Sequence, residues 1–100
     1  MARKSNSYRL SRLAEADLEN IYAYTVEGWS IDQANQYIGE LRAAILGLAA
    51  GTKIGHRLEG MTGYFSLLVG SHNIICRETG MIVIARILHK MMDAPRHLQP

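Results

Sequence analysis

Residues 81–98 read M-I-V-I-A-R-I-L-H-K-M-M-D-A-P-R-H-L, and this stretch decides the fold. Its first part is apolar and mostly aliphatic except for Arg86, which is the composition of a central β-strand. No glycine separates this strand from His89, Lys90 and a short terminus that contains Pro95. The sequence therefore predicts a buried strand that carries a basic tail at its own end.

The composition is that of an ordinary globular protein. The 100 residues are 48% hydrophobic and 20% charged, which suits one domain with one core. We expect this domain to span residues 1–100, with residues 1–6 as a disordered or extended tail. No apolar run reaches the length of a membrane span, and no apolar core follows the first charged residues. A cytoplasmic location without a membrane partner is therefore expected.

The charges are unevenly distributed, although the net charge is only +2. Every charged residue between residues 13 and 41 is acidic, whereas the basic residues precede or follow that block. The fold should carry an acidic side and a basic side, and the basic side should attract an acidic partner. Because the net charge is so small, we expect no direct sequence-specific binding of nucleic acid.

The first half of the chain predicts a short strand and two helices. Tyr8 and Leu10 alternate with polar neighbours, as in a strand with one buried face. Ser11 is a suitable N-cap for a helix that ends around Gly28. A capping box at residues 30–33 starts a second helix, which a glycine at position 51 should end. Two helices joined by so short a turn should form an antiparallel hairpin.

After a loop at residues 51–63, the sequence predicts an antiparallel meander. Strand-length runs cover Tyr64–Val69, His72–Glu78 and residues 81–88, and two-residue links of the kind that close tight hairpins join them. The predicted fold is therefore α+β with the order β-α-α-β-β-β. A helical hairpin packs on one face of a mainly antiparallel sheet, and a short C-terminal turn or helix follows.

Few residues offer catalytic chemistry. His72 begins one strand and His89 ends the next, so the two can lie close together, but neither an orienting acid nor metal-ligand spacing accompanies them. Arg86 interrupts an apolar strand and needs solvent, a carbonyl or a carboxylate. Glu78 on the adjacent strand is a candidate partner. Structural pairing and partner binding are equally open for Arg86.

Packing explains several residues that could otherwise carry chemistry. Cys76 is the single cysteine, so it cannot form an internal disulfide and is expected to be a small buried residue. Trp29 and Tyr37 flank the turn between the helices and are expected to pack in the core. The glycines of residues 51–63 are scattered and follow a helix, so a phosphate-binding loop is not indicated. No metal or cofactor site is expected.

The C-terminal residues form a small basic cluster. Lys90, Arg96 and His97 are opposed only by Asp93. Such a cluster is typical of a solvated chain end, but its place on a projecting terminus also suits partner binding. The tail from Asp93 onward is expected to add little to the core.

Short motifs spread over nearly the whole chain carry further information. They are Y-R-L-S from Tyr8, A-x-x-D-L from Ala14, W-x-x-x-Q-A from Trp29, G-S-H-x-I from Gly70 and R-I-L-H-x-x-M-D from Arg86. In this order and spacing they resemble the ParE branch of the RelE/ParE toxin superfamily. The predicted order of elements is also the one this superfamily has.

The resemblance implies the toxin of a type II toxin–antitoxin system, neutralised by direct binding of a co-encoded antitoxin, as a homodimer or a toxin–antitoxin hetero-oligomer. ParE-like members inhibit DNA gyrase by binding it and block replication, which implies neither a cofactor nor catalytic residues. We expect target contacts from Arg86, His89, Lys90, Arg96 and His97, and antitoxin contacts from Arg77, Tyr64 and Phe65.

The RelE-like branch of the superfamily implies a different activity, the cleavage of mRNA on the ribosome. Its members use basic residues on the sheet and a C-terminal tyrosine or another acid–base group. This chain has no tyrosine after Tyr64, and only Arg77 and Arg86 are basic on the three later strands, which favours the gyrase inhibitor. Phe65 and Cys76 stand where ParE relatives are expected to have an arginine and an aromatic residue. A non-toxic interaction module is a third alternative.

Overall fold

A helical hairpin and a five-stranded sheet form the two layers of the fold in the computed structural model, which describes residues 7–98. The predicted α+β class is confirmed, whereas the tail predicted at residues 1–6 lies outside the described residues. Within residues 7–98, no helix is both long and apolar enough to cross a membrane. In chain order the elements are β1 (Tyr8–Leu10), α1 (Arg12–Gly28), α2 (Ile31–Ala50), β2 (His56–Arg57), β3 (Tyr64–Val69), β4 (His72–Glu78), β5 (Ile82–His89) and α3 (Ala94–Leu98).

Local side-chain bonds fix the ends of the hairpin helices. The Ser11 hydroxyl accepts the N–H of Ala14 at 3.0 Å, and the Ser30 hydroxyl accepts the N–H of Gln33 at 3.0 Å. Each bond satisfies a backbone donor that has no partner within its helix. Gly51 ends α2 with a left-handed φ of 82°, a conformation that favours glycine. The predicted helix starts and the predicted stop of α2 are confirmed.

The sheet has the strand order β1-β5-β4-β3-β2, which places β5 between β1 and β4. β1 pairs with β5 in parallel, and the other neighbouring strands are antiparallel. The prediction of an uninterrupted loop at residues 51–63 is wrong, because β2 pairs there with Phe65 and Ser66 of β3. Two residues are too few to produce an alternating pattern, so the sequence did not reveal this strand.

A β-bulge near the middle of β5 keeps both halves of the strand buried under the hairpin. The register with β4 skips Ala85, which has no partner across the ladder. Ile84 and Ile87 are an odd number of residues apart and would face opposite sides of a regular strand. Because of the bulge, both belong to the core beneath the hairpin. The bulge lies immediately before Arg86.

Apolar side chains are buried on both faces of the sheet. The face towards the hairpin holds the main core, in which Cys76 is buried as predicted. The opposite face holds a smaller cluster that joins Ile75 and Leu88 to Ala94 of α3. The prediction that the tail adds little to the core is therefore wrong. The tail has only a few apolar residues among polar ones, so its sequence shows no periodicity from which this packing could be inferred.

Candidate functional site

Arg86 forms an ion pair with Asp17 of α1 and not with the candidate partner Glu78. Its Nε donates to Asp17 Oδ2 at 2.8 Å, and its Nη2 donates to Oδ1 at 3.0 Å. This is the two-bond geometry that makes arginine–carboxylate pairs strong. Glu78 lies opposite Ile82, at the other end of β5. Glu78 is a candidate from the sequence because its strand neighbours β5, but the carboxylate that pairs with Arg86 comes from the helix that crosses the edge of β5.

Asp17 also closes the open edge of β5. β1 covers this edge as far as Ile84. Ser11 then donates its N–H to the carbonyl of Ile84 at 2.9 Å. Its hydroxyl donates to the carbonyl of Ala85 at 2.6 Å. Beyond this point, Asp17 Oδ2 accepts the N–H of Ile87 at 2.9 Å. Since buried backbone groups need partners, a helix side chain here takes the place of a missing strand residue.

The ion pair connects three elements. The side chains of Arg86 and Asp17 are only 18% and 12% exposed. Hydrogen bonding to Asp17 raises the pKa of Arg86 above its ordinary value, against the opposing effect of burial. Arg86 Nη1 also donates to the backbone carbonyl of His97 at 3.3 Å. The guanidinium group of β5 thereby holds both α1 and the C-terminal helix α3.

A second polar cluster lies where α2 meets the β3–β4 turn. The Tyr37 hydroxyl lies 2.7 Å from His72 Nδ1, donates to the carbonyl of Val69 and accepts the N–H of Ser71, both at 3.1 Å. Gly70 permits this approach, because a Cβ there would lie 2.7 Å from the tyrosine ring and its φ is +58°. The tyrosine therefore fastens α2 to the turn.

His72 and His89 lie together, as predicted from their positions at the hairpin. They are cross-strand partners, and their ring centroids are 5.5 Å apart in an edge-to-face arrangement. Burial lowers the pKa of His72, and the nearby His89 lowers it further, while Asp17 has the opposite effect. Burial raises the pKa of Tyr37. Within residues 7–98, no group of three side chains is arranged to hold a metal ion.

The predicted target contacts divide into an inner and an outer group. Arg86, His89 and His97 line one depression of about 270 Å³. Lys90 and Arg96 lie outside that lining and are exposed. Because a carboxylate neutralises Arg86, the accessible positive charge at this end of β5 belongs to the outer group.

The predicted antitoxin contacts do not share one surface. Tyr64 and Arg77 are cross-strand partners, and Tyr64 packs on the smaller cluster, away from the hairpin. Phe65 packs on the main core, because neighbouring residues of a strand point to opposite faces. Phe65 lines a separate groove of about 380 Å³ at the end of α2, together with the exposed Ile54.

Sequence reasoning missed two features of this region. Asp17 follows Ala14 by three residues and precedes Ile21 by four, so it lies on the buried face of α1. An acidic residue within an apolar stripe is a signal that could have been read. Trp29 is 73% exposed, which contradicts its predicted core position, whereas Tyr37 does pack against the main core. Trp29 is the C-cap of α1, so helical spacing does not direct its side chain.

Comparison with known protein families identifies the family to which this architecture belongs. The family described as ParE toxin of type II toxin-antitoxin system, parDE, matches residues 8–94. The chain belongs to the ParE toxin family. The match covers all the quoted motifs, which lie between Tyr8 and Asp93, and the resemblance inferred from those motifs is confirmed.

Individual ParE proteins agree with this assignment. Toxin ParE1 of Mycobacterium tuberculosis (strain ATCC 25618 / H37Rv) is 42% identical over 97 residues, which cover 94% of this chain and 99% of the relative. Toxin ParE1 of Caulobacter vibrioides is 39% identical over 92 residues, which cover 91% and 96%. A solved structure described as a chromosomal ParDE TA system from P. aeruginosa has a TM-score of 0.74 at 25% identity, over 83% of this chain and 94% of that chain.

Proposed function

We propose that this ParE-family chain inhibits DNA gyrase by direct binding and so blocks replication in the cytoplasm. One observation carries the choice of binding over catalysis. Tyr37 and His72, which could supply acid–base chemistry, are hydrogen-bonded to each other, and the Tyr37 hydroxyl also bonds to the carbonyl of Val69 and the N–H of Ser71 at the β3–β4 turn. A general acid or base must instead reach the proton that it transfers. Their hydrogen bonds instead hold α2 to the β3–β4 turn.

The exposed end of β5 is the surface proposed to meet the target. Lys90 and Arg96 are exposed there, beside the depression lined by His89 and His97. Accessible cations at a protein interface raise the association rate and select an acidic partner surface. Arg86 supports this surface indirectly, because it holds the carbonyl of His97 while its charge is neutralised.

A co-encoded antitoxin is the second proposed partner. The solved P. aeruginosa relative is described as a ParDE TA system, which supports an antitoxin for this chain as well. Tyr64 and Arg77 on one face of the sheet, and Phe65 in the groove on the other, offer two separate contact areas. An antitoxin segment that reaches both areas would have to wrap around the edge of the sheet, which gives a toxin–antitoxin hetero-oligomer.

Supercoiling of relaxed plasmid by purified gyrase tests the proposed function. We expect the added chain to inhibit supercoiling at micromolar concentration or below, and the antitoxin to restore it. A parallel reaction with ribosomes and mRNA examines the RelE-like activity. Normal supercoiling at micromolar chain together with cleavage of ribosome-bound mRNA would reverse the proposal. Inactivity in both assays, together with normal growth of cells that express the chain without antitoxin, would indicate a non-toxic interaction module.

A further inference from the structure

We propose that the methionine pair Met91 and Met92, in the turn after β5, is a site of reversible oxidation by hydroperoxides, and that its oxidation weakens binding of the target. The pair directly follows Lys90 and precedes Asp93. It therefore lies within the surface proposed to meet gyrase. The position of the oxidation site is independent of the target, whereas its effect on binding rests on the proposed function.

The methionine pair carries the most accessible thioethers within residues 7–98. Met91 is 81% exposed and Met92 is 48% exposed, against 37% for Met81, and Met61 is less exposed still. The other sulfur atom in this part of the chain belongs to Cys76, which is only 2% exposed in the main core. Because an oxidant must reach the sulfur atom, the methionine pair should react first.

The fold does not depend on the two thioethers. Neither side chain belongs to the apolar clusters on the two faces of the sheet. Backbone groups hold the turn, since Lys90 donates its N–H to the carbonyl of Ser71 at 2.8 Å and Met92 donates to the carbonyl of His89 at 2.9 Å. Met91 donates its N–H to His89 Nδ1 at 3.2 Å. None of these bonds involves sulfur, so oxidation should leave the turn in place.

The reaction transfers one oxygen atom from the hydroperoxide to sulfur. A lone pair of the thioether attacks one peroxide oxygen, the sulfur–oxygen bond forms and the oxygen–oxygen bond breaks. With hydrogen peroxide, the second oxygen takes up a proton and leaves as water. Sulfur is thereby oxidised by two electrons and the peroxide is reduced by two. The product is a sulfoxide, which methionine sulfoxide reductases convert back to the thioether, so the change is reversible.

Oxidation changes the polarity of the surface where apolar contact is available. Met92 lines the same depression as His89 and His97, and Met91 is among the most exposed large apolar residues. A flexible thioether adapts its shape to a partner surface. A sulfoxide oxygen is instead a hydrogen-bond acceptor, which is costly to bury without a donor. Oxidation should therefore weaken binding of the target although the charge of Lys90 is unchanged.

Treatment of the full chain with hydrogen peroxide, stopped with catalase before gyrase is added, tests the proposal. Peptide mapping by mass spectrometry should place the first added oxygen atoms on Met91 and Met92, while urea denaturation stays as in the untreated chain. The chain concentration that half-inhibits supercoiling should rise by about tenfold or more. Reduction by methionine sulfoxide reductases of both epimer specificities, with dithiothreitol, should restore the original value.

Two variants assign the effect to the methionine pair. Met91→Leu/Met92→Leu should have the same inhibitory concentration before and after peroxide, whatever that concentration is, because no sulfur remains in the turn. Met81→Leu is the matched control and should respond to peroxide as the wild type does, since Met81 lies at the other end of the β5 sequence.

Three results would overturn the proposal. They are earlier oxidation of Met81 or Met61 than of the pair, equal inhibition by the oxidised and untreated wild type, and a loss of inhibition that persists in Met91→Leu/Met92→Leu or accompanies a lower urea midpoint. Normal supercoiling in the presence of the untreated chain would instead refute the proposed function and with it the effect on binding. Peptide mapping decides the position of the oxidation site in either case.

Discussion

Arg86 and Lys90 carry the same charge near the same end of β5, yet their surroundings differ. Arg86 is 18% exposed and makes two bonds to Asp17, whereas Lys90 is exposed to solvent beyond the strand. A buried charge needs a fixed partner, while an exposed charge stays available to a second molecule. The basic end that the sequence presents as one surface thus contains an internal support, Arg86, and an accessible rim, to which Lys90 belongs.

The largest effect should follow from removing the partner of Arg86. Asp17→Ala leaves a mostly buried guanidinium without its carboxylate and the N–H of Ile87 without its acceptor. We expect the free energy of unfolding to fall by about 3 kcal/mol, as for other broken buried ion pairs. Urea denaturation measures this change. Glu19→Gln, an exposed change on the same helix, should stay within about 0.5 kcal/mol of wild type. A loss for Asp17→Ala as small as that control would contradict the supporting role.

Replacing both partners should cost less than the two single changes together. Asp17→Leu/Arg86→Met leaves no unpaired charge, so the remaining loss comes mainly from the N–H of Ile87, at about 1 to 3 kcal/mol. A double-mutant cycle with Asp17→Leu and Arg86→Met, followed by urea denaturation, measures the coupling. Strictly additive losses would show that the pair is not an energetic unit.

A smaller effect should appear on acidification. Burial keeps the pKa of His72 below its ordinary value, so the unfolded chain binds the proton more readily than the folded chain. The free energy of unfolding should therefore rise as the pH increases from the lowered pKa of the folded state to about 6.5, the ordinary pKa of histidine, and level off above it. Acidification through the same range should lower the free energy of unfolding. Urea midpoints at about pH 5.5 and 7.5 measure this, and His72→Gln should reduce the difference. An unchanged pH dependence in that variant would assign the effect to other groups.

The parts of the fold that the sequence predicted depend on local patterns. The hairpin follows from the caps at Ser11 and Ser30, and the meander follows from apolar runs separated by two-residue turns. The site depends on distant contacts. Asp17 and Arg86 are 69 residues apart in sequence, and the bulge at Ala85 that precedes Arg86 depends on the register of two strands. Neither can be obtained from the spacing of residues along one element.

The exposure of Trp29 shows the same limit of prediction from local sequence patterns. Its position continues the apolar stripe of α1, but helical periodicity ends where the helix ends. A residue at the cap takes its direction from the turn, and here the turn leaves the indole in solvent. Helix boundaries are accordingly where burial predicted from periodicity is least secure.

The division between support and rim is tested most directly by gyrase supercoiling with two double variants of the chain. Lys90→Ala/Arg96→Ala removes two exposed cations and should keep wild-type stability while inhibition weakens by about tenfold or more. Asp17→Leu/Arg86→Met should lose stability but still inhibit supercoiling when assayed below its unfolding temperature. The reverse result, with full inhibition by the first variant and none by the folded second variant, would contradict the account and make Arg86 itself the target contact.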